Sequence, residues 1–194
     1  MVDIVLDENP LRRVDEYDGL LVGTNCYQAM RNGFQREVAK KYPSVVEWNY
    51  RTKYGDPSKL GTIVECKDDN IPLFILMFTT FGFNFKGDDK DFFDYEALAK
   101  CLRMVNILYS GKSFATNMIG CSEFDGNADR DRILDVVNQE AVDFNLTLYD
   151  YRQLTNKSLN QNDYIKKLKG RYARNKEKRS KLAAKNQQQV QLKR

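Results

Sequence analysis

The 194-residue chain contains no histidine, which removes Ser-His and Cys-His nucleophile pairs, histidine general bases and histidine-ligated metals together. Any catalysis must run on carboxylates, lysine, tyrosine or main-chain groups. Cysteine is sparse: Cys26, Cys66, Cys101 and Cys121 are widely spaced and include no Cys-x-x-Cys pair, so neither a zinc ribbon nor a disulfide framework is indicated. No run of 18 apolar residues occurs, and the first residues, MVDIVLDENP, lack the basic region and long apolar core of a signal peptide. The expectation is a soluble, cytoplasmic monomer with no membrane segment, no metal and no cofactor.

Charge is divided unevenly along the chain. From Asn156 to Arg194 there are 13 Lys and Arg against only Asp163 and Glu177, which leaves 18 basic and 25 acidic residues before them. A boundary therefore falls near Thr155, between a domain at 1–155 and a basic tail at 156–194. The tail is poor in large apolar residues and cannot bury a core of its own. Its one pattern is Tyr164, Leu168 and Tyr172 at four-residue spacing, enough for a helix that docks weakly or forms on a partner. It reads as a solvated, helical or disordered extension, or as an arm for nucleic acid or an acidic protein.

Within 1–155 strands and helices alternate. Val2 to Leu6 and Gly19 to Thr24 read as strands, Gly33 to Lys41 and Ser44 to Lys53 as helices, the latter carrying the only tryptophan, Trp48. Thr62 to Cys66 and Ile71 to Thr79 form a β-hairpin about a turn at Lys67 to Asn70. Phe92 to Tyr109 is an amphipathic helix, Ser113 to Ile119 a strand, Ala128 to Phe144 a helix and Leu146 to Tyr151 a strand. This order argues for a three-layer α/β/α domain about a central mixed sheet, with ligands bound outside the carboxyl ends of its central strands.

Two loops lie at those ends. Asn25 to Gly33 follows an apolar strand and opens a helix, whose unpaired first amides favour an anion. Gly120 to Asn127 repeats the arrangement, with Asn127 as the expected N-cap of the next helix. Glycines there let main-chain N–H groups approach a pyrophosphate; ordinary connections use the same residue types.

The segment Asn25, Cys26, Met30, Gly33 and the helix to Tyr42-Pro43 resembles the first substrate loop of macrodomains, the ADP-ribose-binding modules. It is most similar to the branch that removes ADP-ribose from glutamate or DNA bases, where the loop reads Asn-Cys, Met-Gly-x-Gly. Phe78, Thr79 and Thr80 resemble the following strand. Ile119-Gly120-Cys121 with Phe124-Asp125-Gly126 is similar to the second loop, Ile-Gly-Cys-Gly-Leu-Asp, with one residue inserted. The likeness covers about residues 1 to 150 and omits the tail.

The resemblance implies binding of ADP-ribose or an ADP-ribosyl derivative, with possible hydrolysis of ADP-ribosyl or ADP-ribose phosphate compounds. Asp7 would hold the adenine amino group and Asn25 would orient the distal ribose. Cys26 and Met30, Arg31, Asn32 and Gly33 would line the phosphate loop beside Thr79 and Thr80. Gly120, Cys121, Ser122, Phe124 and Gly126 would cover the other side, and Asp125 would direct water. Gln28 and Arg31 stand where the family has glycine, although the Arg31 guanidinium can fork onto phosphate oxygens. Thr80 and Phe81 stand where one branch carries a nucleophilic lysine, and Lys86 lies several residues on, so the residues favour binding or water-based hydrolysis. The competing expectation is a non-enzymatic interaction protein whose basic tail binds nucleic acid or an acidic protein. A small virus- or phage-encoded protein acting in host cytoplasm suits both.

Overall fold

The computed structural model describes residues 2–6, 8–82, 93–121 and 126–150. The expectations for Asp7, Ser122, Phe124, Asp125 and the tail at 156–194 therefore lie outside the described residues. Six strands are described: β1 (Val2–Leu6), β2 (Gly19–Asn25), β3 (Ile63–Asp68), β4 (Ile71–Thr80), β5 (Ser113–Asn117) and β6 (Asn145–Asp150). With them go four α-helices: α1 (Gly33–Lys41), α2 (Pro43–Tyr50), α3 (Tyr95–Leu108) and α4 (Arg130–Glu140).

The sheet order is β1-β6-β5-β2-β4-β3. All pairings are parallel except the β3–β4 hairpin, so the sheet is mixed, as the sequence predicts. β2 and β4 read as nearly continuous apolar runs because both of their faces are covered: Leu20, Leu21 and Val22 are fully buried, as are Phe74 to Phe78. On one face Leu20, Val22, Phe74, Leu76, Ala115 and Tyr149 pack with Phe34, Val38 and Val45 of the α1–α2 pair. On the other, α3 packs on β4 and against α4. There Phe114 meets Tyr109 and Phe144 edge-on, with ring centroids 5.4 and 5.7 Å apart. The architecture is three-layered, α/β/α.

Some boundaries differ from the sequence reading, each for a local reason. Asp129, not Asn127, caps α4, its carboxylate accepting from Arg132 N at 2.8 Å, while Asn127 sits before the helix at φ 53°. At the other end the Asn106 side chain accepts from the amides of Val142 and Asp143 at 3.2 and 3.1 Å, which draws those residues out of the helix. Phe144 consequently belongs to the core beside Phe114 and not to α4. β5 stops at Asn117, and α3 begins at Tyr95 because the Asp94 carboxylate caps it through Ala97 N at 2.9 Å. β3 runs on to Asp68, whose side chain closes the hairpin by accepting from Asn70 N at 3.0 Å.

Candidate functional site

Since β1, β2, β4, β5 and β6 are parallel, their carboxyl ends share one edge of the sheet. The segments that follow β2 from Cys26 and β5 from Met118 both leave from that edge.

The first loop is braced by Asn25. Its side chain, on a residue only 3% exposed, donates to Ala29 O at 2.7 Å and accepts from Tyr27 N and Ala29 N, both at 3.1 Å. Cys26 is buried beneath the loop, its amide donating to the carbonyls of Thr80 and Phe81 at 3.1 Å. Met30 joins the core cluster under α1. Arg31 is exposed, and Asn32 precedes α1 without a side-chain capping bond. Gly33 opens the helix at φ 48°, a conformation glycine adopts without strain. Arg36 N donates to Asn32 O, so the amides before it must be satisfied from outside the helix.

Opposite stands the Gly120 turn at φ 69°, with Cys121 half-buried and its thiol 3.4 Å from Ile119 O. Between them Gly23, Phe34, Gln35, Thr79, Thr80, Asn117, Ile119 and Gly120 line a slot of about 10 Å³, roughly the space of one water. Among the described residues its lining contains no carboxylate. Among the described residues no group of three acidic or cysteine side chains could hold a metal.

No protein-family model matches the chain, and no curated protein matches it in sequence. Solved structures do match in shape. A protein of unknown function from Bacteroides thetaiotaomicron superposes with a TM-score of 0.60 at 15% identity over 77% of this chain and 98% of its own. The macrodomain of Mycobacterium tuberculosis DarG gives 0.55 at 16% identity, over 77% and 97%. The Trypanosoma brucei macrodomain in complex with ADP-ribose gives 0.51 at 12%, over 77% and 64%. The fold is that of the macrodomains.

Two features of this macrodomain fold escape a reading by motif. Phe93 lies over both glycines of the second loop: a Cβ on Gly120 would stand 2.1 Å from its ring, and one on Gly126 3.2 Å from its Cβ. These glycines thus admit an aromatic ring, a packing role that spacing alone could not distinguish from approach to a ligand. The second feature is Lys59, only 8% exposed, whose Nζ donates to Thr52 Oγ1 at 2.9 Å and lies 4.6 Å from the Phe78 ring centre. Burial pulls its pKa down, against the opposing pull of Cys26 and Asp56.

Gln35 and Asn117 were also not expected at the site. The available signal for Gln35 was its place in the first turn of α1, directly after Phe34; nothing in the sequence near Asn117 marks it.

Proposed function

We propose that the chain binds ADP-ribose, or a compound carrying an ADP-ribosyl group, in the slot between the first turn of α1 and the Gly120 turn. The observation that carries this reading is the uncapped α1 N-terminus facing a slot, at the parallel edge of the sheet, whose described lining residues include no carboxylate. The ADP-ribose complex of the Trypanosoma brucei macrodomain supports the choice of ligand. Arg31, exposed two residues before α1, adds positive charge to the loop. A slot of about 10 Å³ admits such a ligand only when the side chains around it move apart.

Asn25 serves by holding the loop in shape, and the N–H of its amide not given to Ala29 is the one left for a ribose hydroxyl. Hydrolysis, where it occurs, falls to water directed by Asp125. Titration calorimetry with ADP-ribose tests the binding, and no heat at millimolar ligand overturns it. Release of ADP-ribose from an ADP-ribosylated substrate tests the chemistry. Asp125→Ala should bind the ligand but lose turnover, and equal turnover in the variant removes Asp125 from the mechanism.

The charge of residues 156–194 favours a second activity, electrostatic binding of nucleic acid. It predicts an affinity that falls steeply with salt and disappears in a chain ending at residue 155. Undiminished binding by the shortened chain rules it out.

A further inference from the structure

The first turn of α1 presents a polar side chain to the slot. Gln35 is 7% exposed and lines the slot, yet its amide makes no hydrogen bond to any described residue. Thr79 on β4, 2% exposed, lines the same slot, and its hydroxyl likewise has no partner among the described residues. Gly23 gives that hydroxyl its room, since a Cβ there would come within 3.3 Å of Thr79 Oγ1 and 2.5 Å of Ile119 Cγ2. Neither polar group is among the buried atoms that lack a partner, so both open onto the slot and are placed to bond a group that enters it.

We propose that Gln35 and Thr79 are phosphate-binding, specificity-determining side chains of this site, donating Nε2–H and Oγ1–H to the oxygens of the ligand's phosphate. The proposal rests on the ADP-ribose reading and deepens it. Both donors are neutral, the described lining residues include no carboxylate, and the α1 N-terminus places partial positive charge behind Gln35, so the geometry favours an anion. Gln28 and Arg31 occupy loop positions where glycines would have allowed close main-chain approach. Here side-chain donors take over part of that task.

The test is ADP-ribose calorimetry on the full chain and on Gln35→Met, Gln35→Glu and Thr79→Val. Methionine keeps the length of glutamine and removes the donor. It should weaken binding about tenfold, while its thermal midpoint stays within about 2 °C of the parent's, because the amide it replaces bonds no described residue. Glutamate sets a charge against the phosphate and should abolish measurable binding; Thr79→Val should weaken it several-fold. Unchanged or tighter binding by Gln35→Met overturns this proposal and leaves the ADP-ribose reading standing. If the parent chain binds no ADP-ribose, that reading fails, and inorganic pyrophosphate becomes the probe. Binding of pyrophosphate by the parent and not by Gln35→Met then upholds the donor assignment, whereas no binding by either overturns it.

Discussion

The side-chain amide of Gln28 donates to the carbonyl of Thr52 at 2.5 Å and reaches Asn49 O, near the end of α2, at 3.2 Å. Gln28 itself sits at φ 60°, in the left-handed region that costs a non-glycine residue about 1–2 kcal/mol. The residue that departs from the glycine of the family motif thus keeps a backbone shape suited to glycine and gains an anchor to α2. Two opposing terms follow. Gln28→Ala loses the anchor and keeps the strain, and should lower unfolding stability by about 1–2 kcal/mol. Gln28→Gly loses the anchor but relieves the strain, and should fall between alanine and the parent. Urea unfolding gives the order; a glycine variant less stable than the alanine variant contradicts it.

Phe93 and Gly120 should be coupled strongly. Gly120→Ala forces a Cβ to within 2.1 Å of the Phe93 ring at a positive φ, which calls for a cost of about 3 kcal/mol from overpacking and strain combined. In a Phe93→Ala background the clash is gone and only the backbone strain remains. A double-mutant cycle should therefore show at least about 1 kcal/mol of coupling. Costs that add to within about 0.5 kcal/mol would show that the ring does not occupy the space over the glycine.

Much of this architecture was legible because its signals are local and repeated. β2 and β4 are apolar on both faces, so Leu20 to Val22 and Phe74 to Phe78 announced buried central strands, and α1 was placed to the residue by Gly33 and Tyr42-Pro43. The site was less legible because its parts come from distant segments. Gln35 meets Thr79 and Gly120 only through the parallel packing of β2, β4 and β5. Phe93 reaches the second loop by bridging to Thr80, a pairing with no periodic signature. The end of α4 was misplaced because Asn106, more than thirty residues away, captures the amides of Val142 and Asp143.

The four thiols should react in two classes. Burial pushes Cys66 and Cys101 up to about 12 and raises Cys26 as well, while Cys121 is half-buried on the second loop. Because the thiolate is the reactive form, a thiol-specific disulfide reagent at pH 8 should titrate one group rapidly and the other three only on unfolding. Cys121→Ser should remove the fast phase, and saturating ADP-ribose should slow it in the parent. Two fast groups, or a fast phase that survives Cys121→Ser, would contradict the assignment.

Asn25 gives the sharpest separation between bracing a loop and touching a ligand. Its Oδ1 accepts from two amides, Tyr27 and Ala29, while Nδ2 donates to Ala29 O. Aspartate preserves both acceptor bonds but loses the donor, and it sets a carboxylate against the Ala29 carbonyl and close to any bound phosphate. Alanine loses all three bonds. A purely bracing residue makes Asn25→Ala the worse variant in both stability and ADP-ribose affinity, because the loop collapses with its bonds. A residue that also presents its amide to the ligand reverses the order for affinity alone: Asn25→Asp, better folded than Asn25→Ala in urea, should bind ADP-ribose more weakly than it does. That crossed pattern is the expected outcome, since the remaining Nδ2–H is the group the ribose would accept from. Parallel ranking of the two variants in calorimetry and in unfolding would assign Asn25 to the loop alone.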